Sequence, residues 1–246
     1  MTKYTLGSWI TSDSLPIVEV MADSGFDWLC IDLEHTMIDY EGVQKLIIAI
    51  QSKNLKAYVR VGSNDELIIK RVLDAGASGV IVPLIKTKAD ALAAVNNTFY
   101  PPVGARGVNS LSRAQKYGFG FEQYLKKVNK DTHLILQIEH IDAIKNLEEI
   151  LEIKQVTGMI IGPYDLSASM GKAGKFEDKE VKKAINKYET LMSKSNKLFG
   201  YHVTDPKQDQ VIAKIKRRYN FIALSWDTYL LGQTCRDKLN IIRKKT

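Results

Sequence analysis

Eight short, nearly unbroken apolar runs, each followed by a longer stretch of helical period, constrain this chain more than any other feature. The runs cover residues 6–10, 26–33, 56–61, 79–85, 133–139, 158–163, 198–203 and 221–226. Continuous apolar runs of this length mark parallel strands that are covered on both faces. A strand followed by a helix, eight times over, predicts an α/β fold: one (β/α)₈ barrel of the TIM type, filling residues 1–246 as a single domain. A doubly wound open sheet would carry a glycine-rich phosphate loop directly after a strand, and the sequence has none.

The intervening segments have helix punctuation. Ser14 with Pro16 opens a first helix and Gly25 closes it; Asn64 is placed to cap 65–74, with Gly76 as the stop. Thr87 with Asp90 resembles a capping box with Asp in the Glu position. Val181, Ile185, Tyr188 and Met192 form one helical stripe, and Asp205-Pro206 reads as a cap with a first-turn proline. The long irregular segment 100–120 serves either a functional loop or a structural excursion around the barrel.

The net charge of +7 raises the question of nucleic acid. The basic residues are spread over helix faces, with no aromatic-interleaved basic sheet and no zinc-finger spacing, so an anionic small molecule suits the charge better. No apolar run approaches the length of a membrane span, and the first residues lack the apolar stretch of a secretory signal. Cys30 and Cys235 read as isolated, buried, reduced thiols of a cytoplasmic protein.

In barrels the chemistry lies at the C-terminal strand ends. Here those ends read Ile31-Asp32-Leu33-Glu34-His35, Tyr58-Val59-Arg60, Gln137-Ile138-Glu139-His140 and Gly162-Pro163-Tyr164-Asp165-Leu166-Ser167. Glu139 and Asp165 end adjacent strands; two carboxylates facing one mouth repel unless a divalent cation lies between them, and oxygen ligation suits Mg²⁺ or Mn²⁺, with Co²⁺ a further option. Either acid would otherwise be satisfied by a lysine or arginine. His35 is a candidate acid/base, with Asp32 placed to orient its ring. Arg60 offers a fixed positive charge for an enolate or carboxylate, or a structural partner for Asp32 or Glu34. The 162–167 turn offers backbone N–H groups to a substrate carboxylate, with a short helix beginning near Ser167. His133 belongs at the opposite end of the barrel; His202 ends the seventh strand and stays a candidate.

At these residues the chain resembles the metal-dependent class II pyruvate aldolases of the HpcH/HpaI (hydroxy-heptenedioate) aldolase family. The likeness runs through Gly25-Phe26-Asp27-Trp28, Asp32-Leu33-Glu34-His35, Val59-Arg60, Leu73-Asp74-Ala75-Gly76, Val82-Pro83, Tyr100-Pro101-Pro102-Val103-Gly104-Ala105-Arg106-Gly107, Gln137-Ile138-Glu139 and Ile161-Gly162-Pro163-Tyr164-Asp165. The resemblance implies that Glu139 and Asp165 hold the metal, and that Gln137 with the Tyr164–Asp165 backbone binds pyruvate. It implies that Arg60 stabilises the enolate while His35, helped by Asp32, moves the proton. It also implies that Asp74 acts on a histidine across a subunit interface, in a homohexamer that swaps the C-terminal helix starting near Asp227, with Val108 and Asn109 reaching an adjacent site. The implied reaction is reversible cleavage of a 4-hydroxy-2-oxo acid to pyruvate and an aldehyde. Oxaloacetate decarboxylation, coenzyme A thioester cleavage and a non-catalytic metabolite-binding barrel are the alternatives. Two features depart from the family: the lead-in before the first strand is nearly absent, and Trp226 stands at the rim, where it is expected to reshape the aldehyde pocket.

Overall fold

A computed structural model describes residues 4–205 and 207–244. Its strands are β1 (Thr5–Ile10), β2 (Trp28–Asp32), β3 (Lys56–Arg60), β4 (Gly79–Val82), β5 (His133–Ile138), β6 (Gly158–Ile161), β7 (Leu198–Val203) and β8 (Phe221–Trp226). They close into one barrel in chain order, and every neighbouring pair, β8 with β1 included, is parallel. The helices are α1 (Leu15–Asp23), α2 (Tyr40–Ser52), α3 (Glu66–Asp74), α4 (Lys88–Thr98), α5 (Phe121–Asp131), α6 (Ile141–Lys145), α7 (Leu147–Leu151), α8 (Pro163–Ser169), α9 (Lys179–Met192), α10 (Gln208–Lys216) and α11 (Asp227–Arg243). The eight predicted strands are therefore all present.

Period-two alternation sorts each strand into two cores. Trp28, Cys30, Tyr58, Ile81, Ile135 and Phe221 fill the barrel, while Leu29, Ile31, Val59, Val80, Leu134 and Leu136 face the helices. Trp28 stacks on Phe221, with centroids 4.1 Å apart, and Tyr58 meets both edge-on. This aromatic plug needs Gly7, because a Cβ there would lie 2.0 Å from the Trp28 ring. The plug fills the end of the barrel opposite the C-terminal strand ends. His133, predicted at that end, lies 2.7 Å from Tyr58 Oη through Nδ1 and 3.1 Å from Lys56 Nζ through Nε2. A lysine ammonium can only donate, so Nε2 accepts from Lys56 and the Nδ1–H donates to Tyr58.

Several end signals are as read. Pro16 lies in the first turn of α1, Gly25 and Gly76 take positive φ after α1 and α3, and Thr87 and Asp90 form the reciprocal capping box of α4. Val181, Tyr188 and Met192 are buried, with Ile185 packed against the same core. Three readings need correction. Asp65, not Asn64, caps α3 by accepting from Ile68 N at 3.0 Å; Asn64 sits one residue too early and donates to the Asp90 carbonyl at 2.9 Å instead. Helix α8 begins at Pro163, because proline's fixed φ suits a first turn, so Ser167 is buried inside the helix. Cys30 is buried, but Cys235 is exposed, since α11 buries only Asp227 within the chain. The Asp205-Pro206 cap cannot be placed, as Pro206 lies outside the described residues.

The segment from Tyr100 to Gly120 is pinned by Arg106, whose fully buried guanidinium donates to Asp74 at 2.6 Å and lies over the Tyr100 ring at 4.5 Å. Its far end forms a 3₁₀ turn over Arg113–Gly118. Among the described residues no helix is long and apolar enough to cross a membrane.

Burial, then the Lys56 charge, pushes His133 down to about 4 from an ordinary value of 6.5. The unfolded chain therefore binds more protons than the folded one between those values, and stability falls as pH drops from about 6.5 towards 4. Urea midpoints of the protein should decline across that window, and His133→Gln should flatten the decline. Parallel profiles for the two proteins would contradict this assignment.

Candidate active site

The rim at the C-terminal strand ends is built around one guanidinium. The β2–β3 register pairs Asp32 with Arg60, so two inward-facing side chains meet. Arg60 Nε donates to Asp32 Oδ1 at 2.8 Å and Nη2 donates to Oδ2 at 2.7 Å, the parallel fork that arginine alone makes. Its Nη1 lies 3.2 Å from Glu34 Oε2, and the guanidinium covers the Trp9 ring at 4.5 Å. Burial opposes the Arg60 charge, but the hydrogen bonds and charge of Asp32, then the charge of Glu34, outweigh it and hold the group above its ordinary value.

Acids outnumber that single charge. Glu34 is pushed up to about 7, first by burial and then by Glu139, Asp32 and Asp165, against the opposing pull of Arg60. Its Oε2 is shielded from solvent and makes no hydrogen bond, the Arg60 contact being an ion pair without donor alignment. Glu139 is buried, and its Oε1 accepts from Leu84 N at 2.7 Å. That N–H is aimed by a left-handed Leu84, with φ of 59°. Gln137 Nε2 donates to Glu139 Oε2. The Gly162 Cα faces both acids: a Cβ there would lie 3.5 Å from Glu139 Oε2 and 3.9 Å from Asp165 Oδ2. The bare Gly162 thus lies beside both carboxylates, and a Cβ there would also meet Glu139 Cβ at 3.2 Å.

Other predicted residues fall elsewhere. His35 has a side chain 65% exposed, and its nearest acid is Glu34 at 3.7 Å. The expected orientation by Asp32 is not realised, because the Asp32 oxygens already accept from Arg60 and from Glu34 N. Asp74, at the end of α3, is paired with Arg106 and stands apart from this rim. Tyr164 is exposed on α8 and meets Phe176 edge-on at 4.8 Å.

A cavity of about 650 Å³ opens from the rim, bordered by Arg60, Gln137, Asp165, Trp9, His202 and Tyr229. Trp226, expected to reshape the pocket, does not border this cavity but packs against His202 at 5.9 Å and Tyr229 at 5.2 Å, which do. Asp227 ties β8 to the chain after β1: it accepts from Thr11 N and Ser12 N, both at 3.0 Å, and from Ser12 Oγ at 2.7 Å.

The model of the HpcH/HpaI aldolase/citrate lyase family matches residues 5–233. The chain belongs to this family. It is 36% identical, over 93% of its length and 86% of the relative's, to a 4-hydroxy-2-oxo-heptane-1,7-dioate aldolase of Shigella sonnei. It is 39% identical to a 2-dehydro-3,6-dideoxy-6-sulfogluconate aldolase of Pseudomonas putida, over 69% of this chain and 66% of that one. Among solved structures, an HpcH/HpaI aldolase/citrate lyase family protein from Burkholderia cenocepacia J2315 superposes with a TM-score of 0.91 at 31% identity, covering 98% of this chain and 95% of that one. Like these aldolases, the chain is a carbon–carbon lyase.

Glu34 and Trp9 belong to the rim of this family member without having been singled out as site residues, and His202, kept as a candidate, joins them there. Period two was the available signal: Glu34 follows Asp32 by two, Trp9 follows Gly7 by two, and His202 follows the tightly packed Gly200 by two. The Leu84 N–H had no signal, since a backbone donor aimed by a positive φ is invisible in residue type.

The Arg60–Asp32 fork is open to a double-mutant cycle. Arg60→Met should destabilise the protein by about 3–5 kcal/mol, because it strands a buried carboxylate. Arg60→Met with Asp32→Leu should recover much of that loss in urea unfolding. Strictly additive losses would show that the two side chains do not act as a unit.

Proposed function

We propose that this protein is a metal-dependent class II aldolase that reversibly cleaves a 4-hydroxy-2-oxo acid to pyruvate and an aldehyde. The observation that carries the reading is the pair of carboxylates, Glu139 and Asp165, set beside Gly162 and together with Arg60 acting on Glu34. Among the described residues no cluster of three or more His, Cys, Asp or Glu side chains is arranged as a metal site. The pair nevertheless fits a hard cation that keeps several water or substrate oxygens. Glu34 supports this, being a mostly shielded acid pushed up first by burial and then by the neighbouring carboxylates, with one oxygen lacking a hydrogen bond. Mg²⁺ or Mn²⁺ suits such oxygens best, and when bound it would act as a Lewis acid on the 2-oxo group.

The chain's own residues divide the remaining work. Arg60, held by its fork to Asp32, keeps a fixed positive charge where the enolate oxygen develops. Gln137 and the first-turn N–H groups of Tyr164 and Asp165, which lack intrahelical acceptors, bind the pyruvate carboxylate and keto groups. His35, beside Glu34, takes the C4 hydroxyl proton directly or through a water. Lys214 lines the cavity and is pushed down to about 8 by burial, which raises the covalent alternative. Its Nζ sits over the Tyr201 ring at 3.6 Å, and Tyr201 packs against the helix-facing core, so the amine borders the part of the cavity on the helix side of β7. That placement disfavours a Schiff base.

The exposure of His35 favours one second reading, oxaloacetate decarboxylation, which needs the same enolate stabilisation but no hydroxyl proton transfer. The proposal extends to a cytoplasmic homohexamer. In support, α11 leaves Leu231, Leu239 and Ile241 exposed, as a helix exchanged between copies would in a single chain.

Pyruvate release from a panel of 4-hydroxy-2-oxo acids tests the reading. Release should require Mg²⁺ or Mn²⁺, stop in EDTA, fall by at least about a thousandfold in Glu139→Ala and by about a hundredfold in His35→Ala. Release that survives EDTA, or a lysine adduct trapped by borohydride, would overturn it. Oxaloacetate turnover that is lost in Glu139→Ala but kept in His35→Ala would favour decarboxylation.

A further inference from the structure

The plugged end of the barrel, opposite the rim, carries a second large cavity of about 1210 Å³. It lies between the N-terminal ends of β3 and β5, the turn after α3, the 3₁₀ turn and α5. Five cations border it, Lys56, Arg113, Lys116, Lys127 and Lys130, against a single carboxylate, that of Asp131. Among the described residues none of these six side chains is in an ion pair. Lysines elsewhere on the surface do find acids, as Lys53 finds Asp23, Lys88 finds Glu152 and Lys145 finds Asp142.

Two of the five cations are fixed in place by neutral partners. Lys56 Nζ donates to His133 Nε2 at 3.1 Å. Arg113 donates through Nη1 to the Ala75 carbonyl at 2.8 Å and through Nη2 to Gln51 Oε1 at 3.0 Å. Bare Gly76 makes room for this guanidinium, since a Cβ there would lie 2.3 Å from Nη1. Bonds to neutral acceptors orient a charge without balancing it. Burial lowers both groups, Lys56 against the opposing pull of Asp131 and Arg113 against that of Tyr117. An anion in the cavity would relieve that desolvation at both. The turn that brings Lys116 to the cavity is also strained, with Lys116 and Tyr117 both left-handed at φ of 55° and 56°, and such strain tends to be kept at functional sites. Phe119 stands on the same border and is 93% exposed.

The excess of cations over acids is too large for one carboxylate or one orthophosphate to balance. A chain of phosphates carries several charges within the span of the cavity, and lysine and arginine are its ordinary partners. We propose that this cavity binds an oligophosphate group, either free or carried by a nucleoside triphosphate, with Lys56, Arg113, Lys116, Lys127 and Lys130 as its cationic partners. If the carrier is a nucleotide, Phe119 is the surface for its base. The site lies at the far end of the barrel from Glu139 and Asp165, and its assignment is independent of the aldolase reading.

Calorimetry on the full chain in EDTA, with tripolyphosphate, ATP and citrate as probes, tests the proposal. Tripolyphosphate should bind, and Lys116→Gln combined with Lys127→Gln should weaken it at least about tenfold. Lys88→Gln combined with Lys182→Gln removes the same charge at the starts of α4 and α9, on the rim side, and should change the affinity by less than about twofold. ATP binding more tightly than tripolyphosphate, with the difference lost in Phe119→Ala, would identify a nucleotide as the carrier; equal affinities would identify free oligophosphate. No binding of either phosphate up to about 1 mM would overturn the proposal. So would equal weakening by the two lysine pairs, or citrate binding as tightly as tripolyphosphate.

Discussion

The rim is governed by a shortage of positive charge. One guanidinium, Arg60, meets Asp32 and Glu34, its fork is committed to Asp32, and Glu139 and Asp165 add their charge around Glu34. Burial first, and then the like charges of Glu139, Asp32 and Asp165, push Glu34 up. The barrel spreads the crowding over the end of β2, which carries Asp32 and Glu34, the end of β5 and the first turn of α8. Glu139 is held by Leu84 N and Gln137, and Asp165 by the first turn of α8. A divalent cation is the simplest addition that balances the set, and the bare Gly162 leaves the space for it.

The two ends of the barrel are organised on opposite principles. At one end Trp28, Phe221 and Tyr58 pack ring on ring, with neutral His133 beneath them accepting from Lys56. At the other end the same alternation delivers Asp32, Arg60, Gln137 and His202. Strand direction and period two thus separate stability from chemistry, as in other barrels of this kind.

The fold was legible because strand and helix periods are properties of residue type. The strand limits were less so. The run 79–85 was read to its end, but β4 stops at Val82, where the chain turns through Leu84 to meet Glu139. The run 158–163 ended early for a similar reason, as Pro163 already belongs to α8. In the site, the approach of Glu139 to Asp165 could be inferred from adjacent strand ends. The partner of His35 could not: a separation of three residues placed Asp32 nearby in sequence, but Arg60 from the next strand competes for that carboxylate and leaves His35 to Glu34. Contacts between strands decide such pairings, and residue order does not record them.

Mn²⁺ binding, followed by electron paramagnetic resonance or calorimetry, tests the charge-balance account most directly. The account predicts about one ion per chain, with affinity at least about tenfold weaker in Glu139→Gln and in Gly162→Ala, whose added methyl would press on Glu139 Cβ at 3.2 Å and lie near both carboxylates. Equal affinity in all three proteins, or no binding by the native chain, would contradict it.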